Sequence, residues 1–180
     1  MKAWEHKLTT VAIYSAVFSS AATRLNYLTV EYFIYGLAAT VIGSHFPDFD
    51  IFIFGPGSSP DGFIRIRGHR GLMHYYKLYL LVSLPLTAGL IAYAIFLNFS
   101  QLSLFIIFTD ICFFFAVFMH IAEDAPTTAG IPVKKFDKDL YVSYSYKMGN
   151  YNSWTIMLVA LSVVALSGVV IIYNALNKFI

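Results

Sequence analysis

Long apolar runs, broken at intervals by short polar clusters, set the pattern of this chain. From Trp154 to Leu176 it reads WTIMLVALSVVALSGVVIIYNAL, without a charged residue. At ~1.5 Å rise per residue such a run crosses a bilayer, with Trp154 and Tyr173 placed as interfacial anchors. Leu78 to Phe99 is similarly long, and its Pro85 and Gly89 are tolerable in a membrane helix because neighbouring helices satisfy the backbone groups they release. Leu102 to Met119 is a third predicted span and carries Asp110 in its middle. Val30 to Phe46 and Leu8 to Thr23 are shorter, and the second holds Thr9, Thr10, Ser15, Ser19 and Ser20, so both are expected to lean on other helices. The pattern predicts an all-α integral membrane bundle of about five transmembrane or membrane-embedded helices. Residues 51–74 and 123–152 are its polar loops, and residues 1–180 read as one domain.

Composition agrees. The chain is 58% hydrophobic and only 12% charged, too few polar residues to cover a water-facing surface but enough for an exterior that lipid solvates. A net charge of +2 gives no footing for nucleic-acid binding. The one cysteine, Cys112, lies inside an apolar run, which excludes an intramolecular disulfide framework and a Cys-rich zinc site. The first apolar segment shares features with a signal peptide but is expected to be retained.

Charge then orients the bundle. With five helices, ten Lys and Arg residues fall on the side of the N-terminus and the two polar loops, against Arg24 and Lys178 on the other. That asymmetry predicts a cytoplasmic N-terminus and an external C-terminus. All five histidines (His6, His45, His69, His74 and His120), with Asp48, Asp50, Glu123 and Asp124, fall on or beside the same cytoplasmic side. They come from separate stretches, yet the topology delivers them to one membrane face.

Three local patterns carry the chemistry. In "PDFD" an extended or turn conformation after Pro47 points Asp48 and Asp50 the same way, and two such carboxylates repel unless a cation lies between them or one is protonated. A solvated loop closing a helix gives the same D-x-D. In "GHRGLMH" a helix starting after Gly71 would let His69 and His74 approach one site, with Arg70 near enough to stabilise an anion; headgroup contact is the alternative. In "HIAEDAPTTAGIP" His120 and Asp124 are four apart, hence on one helical face, and can offer a nitrogen and an oxygen to one metal. Glu123 points elsewhere. His6 alone reads as an interfacial histidine, and His45 as a packing residue or one that hydrogen-bonds a ligand. Asp110 is costly in mid-membrane, and Thr109 and backbone groups are its expected partners.

Taken together, "FPDFD", "GHRGLMH" and "HIAEDAPTTAGIP", preceded by His6, resemble in order the LexA-regulated, membrane-bound metal-dependent hydrolase family (YdjM-like) over residues 6–132. The chain departs from that pattern at Ile51, where the family has a histidine, at Met73, where it has threonine, and at Thr128, where it has proline. The family is distantly similar to zinc-dependent phospholipase C and nuclease P1 enzymes. That similarity implies Asp48 or Asp50, His69 or His74, His120 and Asp124 around one ion, and His6 with Asp124 at a second. The implied cofactor is a divalent metal, one to three ions, with zinc ahead of manganese for a mixed His and carboxylate set. The implied activity is hydrolysis of a phosphate ester in a membrane lipid or lipid-linked substrate by a metal-activated water, with Asp48 or Asp50 as base and Arg70 offsetting charge. A metal-ion carrier or channel component, and a non-catalytic metal-stabilised subunit, are the alternatives.

Overall fold

The computed structural model describes residues 3–22, 29–49, 72–97, 99–124, 161–164 and 166–171. The described residues are helical, without strands. Helix α1 spans Ala3–Ala22 and α2 Val30–His45. A 3₁₀ turn, Phe46–Phe49, continues α2, and a second, Leu72–His74, precedes α3, which runs Tyr76–Phe96. Helix α4 covers Gln101–Asp124, and α5 is the shorter apolar helix Leu161–Ile171. The helical membrane architecture read from the hydrophobic runs is the one found.

Two of these helices are long and apolar enough to cross a membrane. At ~1.5 Å per residue, the 21 residues of α3 and 24 of α4 measure roughly 32 and 36 Å, against a hydrocarbon core of ~30 Å. Helix α3 passes unbroken through Pro85 and leaves Leu81, Leu84, Tyr93 and Phe96 exposed. In a water-soluble protein that surface would be a liability; in lipid it is ordinary. Helices α1 and α2 pack on each other and on α4.

Ring contacts fix the order and direction of the helices. Tyr32 meets Phe105 and Phe108, while further along α2 Ser44 meets His120, so α2 and α4 run parallel. Tyr79 packs on Phe118 and Thr87 on Asp110, so α3 runs antiparallel to α4. Helix α1 is antiparallel to α2, with Phe18 on Phe33 and the Tyr14 hydroxyl donating to the Phe33 carbonyl at 3.1 Å. In this up-down-up-down order the C-terminal ends of α2 and α4 and the N-terminal end of α3 lie at one end of the bundle. His6 lies in the first turn of α1, at that same end.

Glycines set how closely α2 approaches. A Cβ built at Gly43 would stand 2.3 Å from the carbonyl oxygen of Phe113 and 3.1 Å from Ala116 Cβ, so the two backbones touch there. At Gly36 the obstacles are instead the Tyr14 hydroxyl and the Phe108 ring. Small residues on one face (Gly36, Ala39, Thr40, Gly43 and Ser44) are buried, which is how membrane helices gain contact without a hydrophobic driving force between them.

Candidate metal centre

Pro47 begins the construction of the site. Having no N–H, it cannot donate to the carbonyl of Gly43 four residues back, and the Phe46 N–H bonds to Gly43 instead in the tighter i to i−3 pattern. The chain thereby leaves α2 in the 3₁₀ turn Phe46–Phe49, with Pro47 buried, and Asp48 is carried inward. The extended backbone that would set Asp48 and Asp50 on one side is absent from Phe46–Phe49, because a 3₁₀ turn advances ~120° per residue rather than alternating. Asp50 lies outside the described residues.

His74 arrives from the opposite direction. It closes the 3₁₀ turn Leu72–His74, and α3 begins only at Tyr76, a few residues later than a helix starting after Gly71. The Tyr79 hydroxyl donates to the Met73 carbonyl at 2.8 Å, and its ring packs on Phe46 and Phe118, so one buried side chain ties this turn to both neighbouring elements. His120 and Asp124 complete the group from the last turns of α4, one helical turn apart, as their spacing predicts.

Four side chains converge. His74 Nε2 stands 3.2 Å from Asp124 Oδ2 and 3.8 Å from Asp48 Oδ1; His120 Nε2 stands 3.5 Å from Asp48 Oδ1 and 3.6 Å from Asp124 Oδ2. Three of these separations exceed an ordinary N–H···O bond of ~2.7–3.2 Å. They match the edges of a coordination shell: bonds of ~2.0–2.1 Å at the tetrahedral angle put ligand atoms roughly 3.3–3.4 Å apart. Asp48, His74 and His120 each offer a ligand atom within 4.8 Å of the others, a set able to hold a metal ion.

The surroundings favour a cation. The side chains of His74, His120 and Asp124 are 0%, 1% and 3% exposed, against 15% for Asp48, so three are sealed in and one faces the opening. Buried carboxylates beside buried imidazoles repel one another less when a cation lies among them. Two of the three converging helix ends are C-terminal and carry the negative pole of the helix dipole. His120 Nδ1 lies 2.7 Å from the Ser44 carbonyl, the arrangement by which metal-binding histidines are oriented through their second nitrogen.

Of the residues singled out from sequence, Asp48, His74, His120 and Asp124 are brought together. Asp50, His69 and Arg70 lie outside the described residues, as does the side chain of His6. His45 makes its hydrogen bond within α2, Nδ1 to the Val41 carbonyl at 2.8 Å, and the adjacent Ser44 supplies the contact to the cluster through its main chain. Asp110 is paired, though not by Thr109, whose hydroxyl bonds to the Phe105 carbonyl in its own helix. Its partner is Thr87 of α3, with Oγ1 to Oδ2 at 2.5 Å. Gly43, Ser44 and Tyr79 drew no notice in the sequence. The signal available for the first two was a glycine and a small residue one turn before a proline.

A family model, YdjM inner membrane protein, matches residues 1–176. The chain belongs to this family. The match covers all three helices that build the site, and it assigns the protein to the inner membrane. No curated protein and no solved structure matches the chain.

Proposed function

We propose that this member of the YdjM inner membrane protein family is a metal-dependent hydrolase of a phosphate ester, carried on a lipid or lipid-linked substrate and reached from the cytoplasmic leaflet. The convergence of two imidazole Nε2 atoms and two carboxylates at one end of an apolar bundle carries this reading. His74, His120, Asp48 and Asp124 would hold the ion, zinc fitting a mixed nitrogen and oxygen set better than calcium. A divalent ion bound there supplies Lewis acidity and water acidic enough to ionise near neutral pH.

The protein's own residues divide the remaining work. Asp48 is the member that faces outward, so it is placed to take a proton from water as well as to bind metal. The other three, being sealed, would hold a bound ion and exclude water from the inner side of the site. Arg70 is proposed to offset charge on the phosphoryl group, and His69, Asp50 and His6 to extend the ligand set. The excess of Lys and Arg that the sequence carries in the N-terminus and the two polar loops supports a cytoplasmic face for the site, with the N-terminus inside and the C-terminus outside.

The test is direct. Protein purified in detergent or nanodiscs is expected to contain about one equivalent or more of zinc or manganese, and to hydrolyse phospholipid or lipid-linked phosphate ester only with metal present. His120→Ala is expected to lose both metal and activity. Full activity in the stripped protein or in the variant would overturn the proposal.

A further inference from the structure

His74 has the weakest local support of the four converging residues. His120 and Asp124 sit in the last turns of α4, and Asp48 in a 3₁₀ turn that continues α2 through Phe46, whose backbone is still helical (φ −59°, ψ −40°). His74 ends a three-residue 3₁₀ turn, and Tyr75, between that turn and α3, is extended (φ −85°, ψ 98°). The α3 ladder opens at the Tyr75 carbonyl, which accepts from the Leu78 N–H at 2.9 Å, so regular helix begins beyond Met73 and His74. A 3₁₀ turn this short, with its poorer hydrogen-bond geometry, does not by itself hold a ligand to a few tenths of an ångström.

Tyr79 reaches back across that break. Its side chain leans toward the N-terminus of α3, as helical side chains do, and its hydroxyl donates to the Met73 carbonyl at 2.8 Å. That oxygen lies in the planar peptide unit whose far corner is the His74 Cα, so fixing it fixes the point from which the His74 side chain starts. The ring has little freedom, being 4% exposed and set edge-on against Phe46 and Phe118. From this held position His74 Nε2 comes to 3.2 Å from Asp124 Oδ2 and 3.8 Å from Asp48 Oδ1.

We infer that Tyr79 is a positioning residue for the candidate metal centre: its hydroxyl clamps the Met73–His74 peptide and so holds the His74 imidazole at coordinating distance from Asp48 and Asp124. This role rests on the metal-binding part of the proposed function, not on the reaction. Removing the hydroxyl alone keeps the ring, its packing on α4 and all four converging side chains, but frees one peptide plane. A partly buried carbonyl deprived of its donor turns toward another, and the His74 Cα turns with it. Tyr14 provides the contrast. It too has a buried ring and a hydroxyl that donates to a main-chain carbonyl, that of Phe33 at 3.1 Å, but the bond joins α1 to α2 about three helical turns before Ser44.

Cobalt titration of full-length, metal-stripped protein in nanodiscs tests the role. Tyr79→Phe is expected to bind cobalt about tenfold more weakly than the parent chain, the lower end of the usual loss when a ligand loses its support, and to change the intensity of the visible cobalt band because a nitrogen donor has moved. Tyr14→Phe is expected to lose a similar amount of unfolding stability while cobalt affinity and spectrum stay as in the parent. In a His74→Ala background Tyr79→Phe is expected to weaken binding by less than about twofold further, because the residue it acts through is gone. Placing 4-aminophenylalanine at position 79 returns an N–H donor on the same ring and is expected to restore affinity to within about threefold of the parent, which separates the hydrogen bond from any loss of packing. Equal cobalt binding by the parent and Tyr79→Phe overturns the role, as does an equal loss in Tyr14→Phe or a full tenfold loss that persists in the His74→Ala background. A parent chain that takes up no cobalt overturns the metal centre and this role with it, whereas one that binds cobalt but hydrolyses no phosphate ester sinks the hydrolase alone.

Discussion

Helix α4 meets α2 and α3 in different ways. Against α2, at the end that carries the site, the contact is glycine on backbone, with Gly43 at Phe113 and a main-chain carbonyl of Ser44 on His120, while Tyr32 and Tyr35 pack their rings on Phe105 and Phe108 at the far end. Against α3 the contact is side chain on side chain, with Tyr79 among Phe114, Val117 and Phe118 and a lone polar pair, Thr87 with Asp110, about 20 Å along the axis from Asp124. The first seam has little room to adjust; the second is made of parts that can repack. Both send residues to the candidate metal centre. Asp48 comes with α2 and His74 with α3, so the centre records the state of each seam. A site that must hold ligands within a few tenths of an ångström gains most from the contact that cannot slide.

The largest expected effect separates the seams by their prolines. Pro47→Ala returns an N–H to the end of α2, lets the Gly43 carbonyl rejoin the regular ladder, and rotates Asp48 out of the 3₁₀ turn. Metal affinity, measured by cobalt or zinc titration, is expected to fall by roughly 10- to 100-fold, the usual loss when the support of a ligand is removed. Pro85→Ala, in the middle of α3, is expected to leave affinity within about twofold, because α3 already continues unbroken through that position. Equal losses in the two variants would erase the distinction drawn between the seams.

That contrast also marks where sequence stops informing. The helices were legible because lipid demands long apolar runs, and a run of that kind has few other structures available to it. His120 and Asp124 were legible because their relation is local, one turn of one helix. Asp48 and His74 were legible as candidates through their motifs, but the geometry that selects them is not written locally. Of the extended and turn conformations open to "PDFD", the structure takes a turn, because Pro47 tightens the end of α2 into a 3₁₀ turn. Ser44 escaped notice because its contribution is a carbonyl that every residue possesses, and His45, with the more eloquent side chain, turns back to Val41. Asp110 announced that it needed a partner; only the pairing of α3 with α4 decides that the partner is Thr87 rather than its sequence neighbour.

That pair gives the second prediction, of intermediate size. Thr87→Val removes the donor and leaves a carboxyl in the membrane with one partner fewer. Interhelical hydrogen bonds in membranes contribute about 0.6 kcal/mol on average and up to ~1.7, so the loss of unfolding stability in mixed micelles or by steric trapping is expected in that range. Adding Asp110→Leu in the same chain is expected to restore much of it, because removing both members of a buried pair leaves nothing unsatisfied. Cobalt affinity is expected to change less than threefold in either variant. Should Thr87→Val weaken metal binding as much as Pro47→Ala, the α3–α4 seam would have to be counted as part of the site's support.

The smallest effect belongs to Gly89, and it closes the comparison because the change is chemically the same as at Gly43. A Cβ at Gly89 meets nothing within 4 Å, and the residue is exposed on α3 among side chains that face lipid. Gly89→Ala therefore adds a methyl group to an open surface and removes one residue of high conformational freedom from a helix interior. The helix-propensity difference of about 1 kcal/mol measured in water sets the upper limit, and its sign is stabilising. Unfolding stability is expected to rise by no more than that, with the metal affinity unmoved. One methyl group at position 43 is stopped by the backbone of α4, while one at position 89 enters open space, so the same chemical change meets a helix seam in one case and none in the other. A Gly89→Ala protein with altered metal affinity would show that α3 transmits changes along its length to His74, and the site would then depend on both seams alike.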